Sequence, residues 1–137
     1  MKKKYDANLM GYINFFENLT KVKVKDAYIK EDLIVFIIQQ GGLRRALGKN
    51  GINIKRMANL TKKRLRVIEF NDNVEKFIEN FIYPNKADNI EKEENIVKIK
   101  ASGAKTKGLL IGRGSKNLNE LKAIVARYFK IDDIKVE

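Results

Sequence analysis

Ala46-Leu47-Gly48-Lys49-Asn50-Gly51-Ile52-Asn53-Ile54 has a counterpart sixty-four positions later in Leu110-Ile111-Gly112-Arg113-Gly114-Ser115-Lys116-Asn117-Leu118. In each stretch an apolar pair runs into a glycine, then a cation, then a small turn-former. Each then enters a segment with helical periodicity whose second residue is Asn. The two stretches predict two loops of one design, each between a short helix and a longer one.

The surroundings repeat as well. Residues 5–20 put Leu9, Met10, Tyr12, Ile13, Phe16 and Leu19 on one broad helical face. Lys21–Lys25 alternates polar and apolar, the period of a strand with one wet face. Glu31-Asp32 reads as a turn, and Leu33–Ile38, a continuous β-branched run, as a buried central strand. After Gly41-Gly42 comes a short helix at Leu43–Leu47. A second helix follows at Ile52–Thr61, burying Ile54, Met57, Ala58 and Leu60, then a strand at residues 64–70. From Asn71-Asp72-Asn73, which offers helix caps, the order begins again. A helix carries Val74, Phe77, Ile78, Phe81 and Ile82 and stops at Pro84. Strands are expected at 87–91 and 95–101, helices at 104–111 and 116–128, and a closing strand at 131–136. The expected fold class is α+β: two α-β-β-α-α-β units, residues 1–71 and 72–137, each a three-stranded sheet with helices on one face. Internal repetition carries more weight than either loop alone. Only three polar residues join the units, so we expect them to pack as one semi-rigid body.

The 137 residues carry a net charge of +12, which suits a polyanionic partner. The excess is uneven: residues 1–71 hold 16 Lys+Arg against 6 Asp+Glu, and residues 72–137 hold 13 against 11. A lysine-rich genome would raise both halves alike, so the asymmetry points to the first unit as the main electrostatic surface. No apolar run approaches the ~20 residues of a membrane span, and no signal-peptide core follows the basic start. Without Cys or His, disulfides, thiolate sites and imidazole chemistry are excluded. No acid pair has a catalytic arrangement, so we expect a cytoplasmic protein that is not an enzyme and has no cofactor or metal. Gly42–Lys49 misses the P-loop spacing and lacks its hydroxyl. Gly112-x-Gly114 lacks the third glycine of a dinucleotide fingerprint.

The loops suit a sugar-phosphate backbone. A helix N-terminus exposes unpaired N–H groups and the positive end of its dipole, and glycines ahead of it let a phosphate approach. Lys49 and Arg113 add charge at the tips. Leu47, Ile52 and Ile54 can floor a groove on which the bases of a single strand lie. Arg44, Arg45, Lys55 and Arg56 surround the first loop with no acid between them, forming a phosphate track. Lys62-Lys63-Arg64-Arg66 reads equally as RNA contact or as a solvated strand start. Tyr5, Tyr12 and Tyr28 are expected in the core rather than stacked on bases, and Glu91-Lys92-Glu93-Glu94 as a solvated hairpin tip.

Leu47-Gly48-Lys49-Asn50-Gly51-Ile52 resembles the KH family of RNA-binding domains, whose signature is an apolar residue, Gly-x-x-Gly between two helices, and a second apolar residue. The element order resembles the type II form. Two such units in tandem over nearly the whole chain resemble the NusA-type transcription elongation and termination factors in their short archaeal version. The resemblance implies RNA-backbone contact by Gly48, Lys49, Asn50 and Gly51, and groove contact by Ile52. In the second unit it implies backbone contact by Gly112, Arg113 and Gly114. There Ser115 replaces the closing glycine; Gly114 is expected to supply the flexibility, with Ser115 capping the next helix and Lys116 standing in place of the apolar residue. The implied partners are single-stranded RNA of a nascent transcript and RNA polymerase. Alternatives are a KH-type role in ribosome assembly or translation, a second unit that docks protein, and charge-driven binding of duplexes.

Overall fold

The computed structural model describes residues 7–137. Two compact units meet between Asn71 and Asp72. The first runs α1 (Ala7–Thr20), β1 (Val24–Lys30), β2 (Leu33–Ile38), α2 (Leu43–Leu47), a single 3-10 turn (Lys49–Gly51), α3 (Ile52–Thr61) and β3 (Arg64–Glu69). The second runs α4 (Val74–Ile82), β4 (Asn89–Glu93), β5 (Ile96–Lys100), α5 (Ala104–Ile111), a 3-10 turn (Arg113–Ser115), α6 (Lys116–Tyr128) and β6 (Asp133–Val136). Both are the α-β-β-α-α-β arrangement of the type II KH fold.

Each sheet has three strands, ordered β1-β2-β3 and β4-β5-β6. The first two strands of each are antiparallel and joined by a two-residue turn. The third is parallel to the middle strand. A parallel neighbour cannot be reached by a hairpin, so the chain must cross over, and the crossover is the helix–loop–helix segment that holds the glycines. In the first unit Leu9 and Phe16 of α1, Ala46 of α2 and Met57 of α3 close over Ala27, Ile34, Phe36 and Ile38. Ile34, Phe36 and Ile38 alternate along β2, so the helices cover one face of the sheet. Phe16 and Phe36 stack with centroids 4.5 Å apart. In the second unit Phe77 and Ile78 of α4, Val97 and Ile99 of β5, Val125 of α6 and Ile134 of β6 are buried, and Phe77 meets Phe81 and Phe129.

Several sequence expectations need correction. The first strand is Val24–Lys30, not Lys21–Lys25. Lys21 takes φ 60° and closes α1 through its N–H to the Glu17 carbonyl, so the alternation began inside a helix cap. A bulge between Val24 and Asp26 also breaks the period. Met10 (52% exposed) and Leu60 (70%) are solvent-facing rather than core; at ~100° per residue Met10 lies about 100° round α1 from the buried Leu9, and Leu60 about 60° round α3 from the buried Met57. The acidic run reaches the β4–β5 hairpin turn, with Glu93 and Glu94 exposed, but begins inside the strand. Glu91 and Glu93 lie in β4 and pair with Lys100 (3.1 Å) and Lys98 (3.4 Å) of β5, while the turn falls at Glu94-Asn95. The cap expected before the second unit is present: the Asn73 side chain accepts from the Lys76 N–H at 2.9 Å. Tyr12 packs against the first core, Tyr28 is half-buried, and Tyr5 lies outside the described residues.

Phe16 is fully buried and stacked, so Phe16→Ala is expected to cost about 3–5 kcal/mol. A unit of this size holds only ~0.05–0.15 kcal/mol per residue. Urea titration followed by circular dichroism should show that variant with much of the first unit's helical signal lost at low denaturant.

Candidate nucleic-acid interface

Helix α2 has only five residues and cannot persist unaided. Both ends are held from elsewhere. At its start the Glu69 carboxylate, at the end of β3, accepts from the N–H groups of Gly41 (3.1 Å) and Leu43 (3.2 Å). At its end Gly48 departs from helical geometry with φ 72°, ψ 176°, a region essentially restricted to glycine. Gly48 N–H still bonds the Arg44 carbonyl. Asn50 (φ 57°, ψ 26°) and Gly51 (φ 70°, ψ 23°) then take left-handed conformations, and α3 begins at Ile52.

The second loop repeats this residue by residue. Gly112 has φ 77°, ψ 169°, Gly114 φ 61°, ψ 27°, and Ser115 φ 63°, ψ 22°. Gly51 N–H bonds the Gly48 carbonyl at 3.1 Å, and Ser115 N–H bonds the Gly112 carbonyl at 3.1 Å. Two expectations are overturned here. Gly114 does not substitute for the closing glycine, because it matches Asn50. Ser115 makes no side-chain cap; it carries the left-handed backbone itself, at a cost of about 1–2 kcal/mol for an L-residue.

Among the described residues, no protein acceptor takes the N–H of Lys49 or Asn50, or of Arg113 or Gly114. Each loop therefore presents two consecutive free donors at the start of a helix, beside a glycine with no Cβ. Lys49, Asn50, Arg113 and Gly114 are exposed. Around the first loop Arg44, Arg45, Lys55 and Arg56 are exposed, and Ile52 is an exposed apolar side chain (40%). Around the second, Lys116 is exposed where the first loop has Ile52, and Leu109 (48%) is exposed where the first has Arg45. The structure places these loop and flanking residues around each loop; the sequence reading did not single out Leu109 or Glu69.

The Lys62–Arg66 cluster is less open than its composition indicates. Arg64 forms a forked pair with Asp32, with Nη2–Oδ1 at 3.0 Å and Nε–Oδ2 at 3.2 Å. Hydrogen bonding to Arg64 holds the Asp32 carboxyl below its ordinary range, so this arginine already has an anion. Lys62 itself takes φ 59° and ends α3.

Asn53 and Asn117, second in their helices, were visible as a repeated pair without a role. Asn53 Nδ2 donates to the Arg45 carbonyl at 3.3 Å, and Asn117 Nδ2 to the Leu109 carbonyl at 2.8 Å. A Cβ at Gly48 would lie 2.9 Å from Asn53 Nδ2, whereas one at Gly51 would meet nothing within 4 Å. Gly48→Ala should therefore cost clearly more stability than Gly51→Ala, whose penalty is about 1 kcal/mol from φ alone. Ser115→Gly should stabilise the second unit by about 0.5–1 kcal/mol, since relief of the left-handed strain exceeds the entropic cost of glycine. Thermal melts of the three variants check both the order and the signs.

No family model matches the sequence. Curated relatives do. The probable transcription termination protein NusA of Methanocaldococcus jannaschii is 30% identical over 127 residues, 90% of this chain and 69% of that protein. The same-named protein of Halococcus morrhuae is 27% identical over 93% of each chain, and that of Methanococcus vannielii 25% identical over 99% of this chain and 80% of its own. The crystal structure of APE1850 matches 97% of this chain and 100% of its own with a TM-score of 0.70 and 23% identity, which shows the fold. The relatives match along nearly all of this chain, both glycine loops included, and it belongs to the archaeal NusA family of probable transcription termination proteins.

Proposed function

We propose that this protein binds single-stranded RNA through its two loops and acts as a NusA-like factor on nascent transcripts, in contact with RNA polymerase in the cytoplasm. It does so as a binding protein, without catalysis, cofactor or metal. The observation that carries the reading is the pair of free N–H donors at the tip of each loop. Two adjacent amides, a nearby cation and an open glycine fit a phosphate. Ile52, exposed beside the first loop, offers an unstacked base an apolar surface, which favours single strands over duplexes. The transcription role is carried by the family; the chemistry of the loops supports RNA.

The two units are unequal partners. The first combines the larger charge excess with Ile52, and the second has Lys116 in its place and a charge near neutral. In this reading the first unit dominates affinity and the second contributes less.

Lys49→Asp with Asn50→Asp adds two negative charges without touching the glycines. It is expected to weaken binding of an unstructured RNA at least tenfold at ~0.15 M salt, and to flatten the salt dependence by about 0.7 per lost phosphate contact. Arg113→Asp with Gly114→Asp should weaken binding less. Fluorescence anisotropy across a salt series measures both, with duplex DNA as competitor. Equal losses from the two pairs would contradict the unequal roles, and preference for the duplex would contradict the single-strand reading.

A further inference from the structure

The two asparagines do the same thing in both units. Asn53 reaches back across the loop to the Arg45 carbonyl, and Asn117 to the Leu109 carbonyl. Each acceptor belongs to the last turn of the helix before the loop, where carbonyls lack intrahelical partners. Each donor belongs to the first turn of the helix after it. The bond thus joins the two helix ends that the loop separates. Its carboxamide also fills the space where a side chain on the first glycine would start. A Cβ at Gly112 would lie 2.7 Å from Asn117 Cγ, as one at Gly48 would lie 2.9 Å from Asn53 Nδ2. The bond is shorter in the second loop, which also carries the more strained residue, Ser115.

We propose that Asn53 and Asn117 are positioning residues: each cross-loop hydrogen bond holds its loop in the conformation that turns two N–H groups outward, and RNA affinity depends on it. The inference rests on the reading of the loops as phosphate sites. It gives the first glycine a second reason beside its backbone conformation: glycine and asparagine form one interlocking pair, the amide occupying the room the glycine vacates. It also explains how two loops with different closing residues, Gly51 and Ser115, keep the same backbone.

The test uses the full chain with an unstructured twelve-nucleotide RNA at ~0.15 M salt. Asn53→Ala is expected to lower affinity about three- to tenfold, the worth of one hydrogen bond, and to change the amide couplings of Asn50 and Gly51 in the free protein as their left-handed φ relaxes. In the wild-type free protein the Asn53 and Asn117 side-chain amides should exchange slowly with solvent. A double-mutant cycle supplies a readout that a general loss of stability does not move. Gly48→Ala should cost less in the Asn53→Ala background than in the wild type, because the Asn53 carboxamide is gone and only Ile52 Cγ2, at 3.1 Å, is left against the new Cβ. Additive costs would overturn the interlock. Wild-type affinity for Asn53→Ala, with binding lost in Lys49→Asp/Asn50→Asp, would overturn the positioning role and leave the loop as the binding site. If Lys49→Asp/Asn50→Asp binds as well as the wild type, the phosphate reading fails, and the positioning role fails with it.

Discussion

A parallel third strand forces a crossover, and the crossover must turn between two helices within four residues. That constraint shapes the rest of the structure. The solution is one glycine in a conformation open essentially to glycine alone, then a short 3-10 turn whose second and third residues are left-handed. Such a turn leaves its first N–H groups without partners, so the open donors are a consequence of chain reversal rather than an addition to it. What the sequence must then supply is stability for a turn that satisfies few of its own hydrogen bonds. In the first unit Glu69 fastens the start of α2 and Asn53 its end. In the second, α5 has eight residues rather than five, and Val136 occupies the ladder position of Glu69, as the bonds from Phe70 N–H to Ile38 and from Glu137 N–H to Ile99 show. The longer helix has less need of a remote carboxylate. The asparagine bond is kept in both.

Backbone geometry and side-chain chemistry have separated in the two copies. Corresponding φ and ψ values of the loops agree to within about ten degrees, a scatter smaller than that of ordinary secondary structure. Yet Lys49 corresponds to Arg113, Ile52 to Lys116, and Arg45 to Leu109. Each loop retains one exposed apolar group and one exposed cation at the two flanking positions, in exchanged places. A difference between the units in ligand binding must therefore come from these side chains and from the charge around them, not from the shape of the loops.

Most of the fold was legible because its strongest signals are periodic. Leu33–Ile38 could only be a buried central strand, and Val74–Ile82 only an amphipathic helix. The errors fell where periodicity is ambiguous. Lys21–Lys25 alternates, but its first residue is a helix terminator with positive φ, which lysine's identity does not announce. Met10 and Leu60 belong to the right helices but sit at the edges of their buried stripes, where one further step of rotation decides between core and solvent. For the site, the loop was legible from glycine and charge. Its support was not, because a hydrogen bond from residue 53 back to residue 45 leaves no local pattern. The only trace was repetition: an asparagine in the same place in both copies. Ser115 misled for a related reason. Serine before a helix reads as a cap, but a cap needs extended backbone, and this position is left-handed.

An amide pair and a lysine would bind any small anion, and that alone does not distinguish a transcript from free phosphate. The distinguishing feature is the apolar side chain beside them. Ile52 lies two residues after the donor pair and remains substantially exposed, a position that burial would favour filling. A free phosphate gains nothing from it. Nor does a duplex, whose bases are stacked and out of reach while its phosphates face outward. An unpaired strand offers a phosphate and an accessible base from the same nucleotide, at the short separation that residues 49 to 52 impose. Polyanion attraction brings many ligands to a surface of this charge, but only a ligand carrying both groups would use the loop and its neighbour together, which is why the proposed ligand is the single strand.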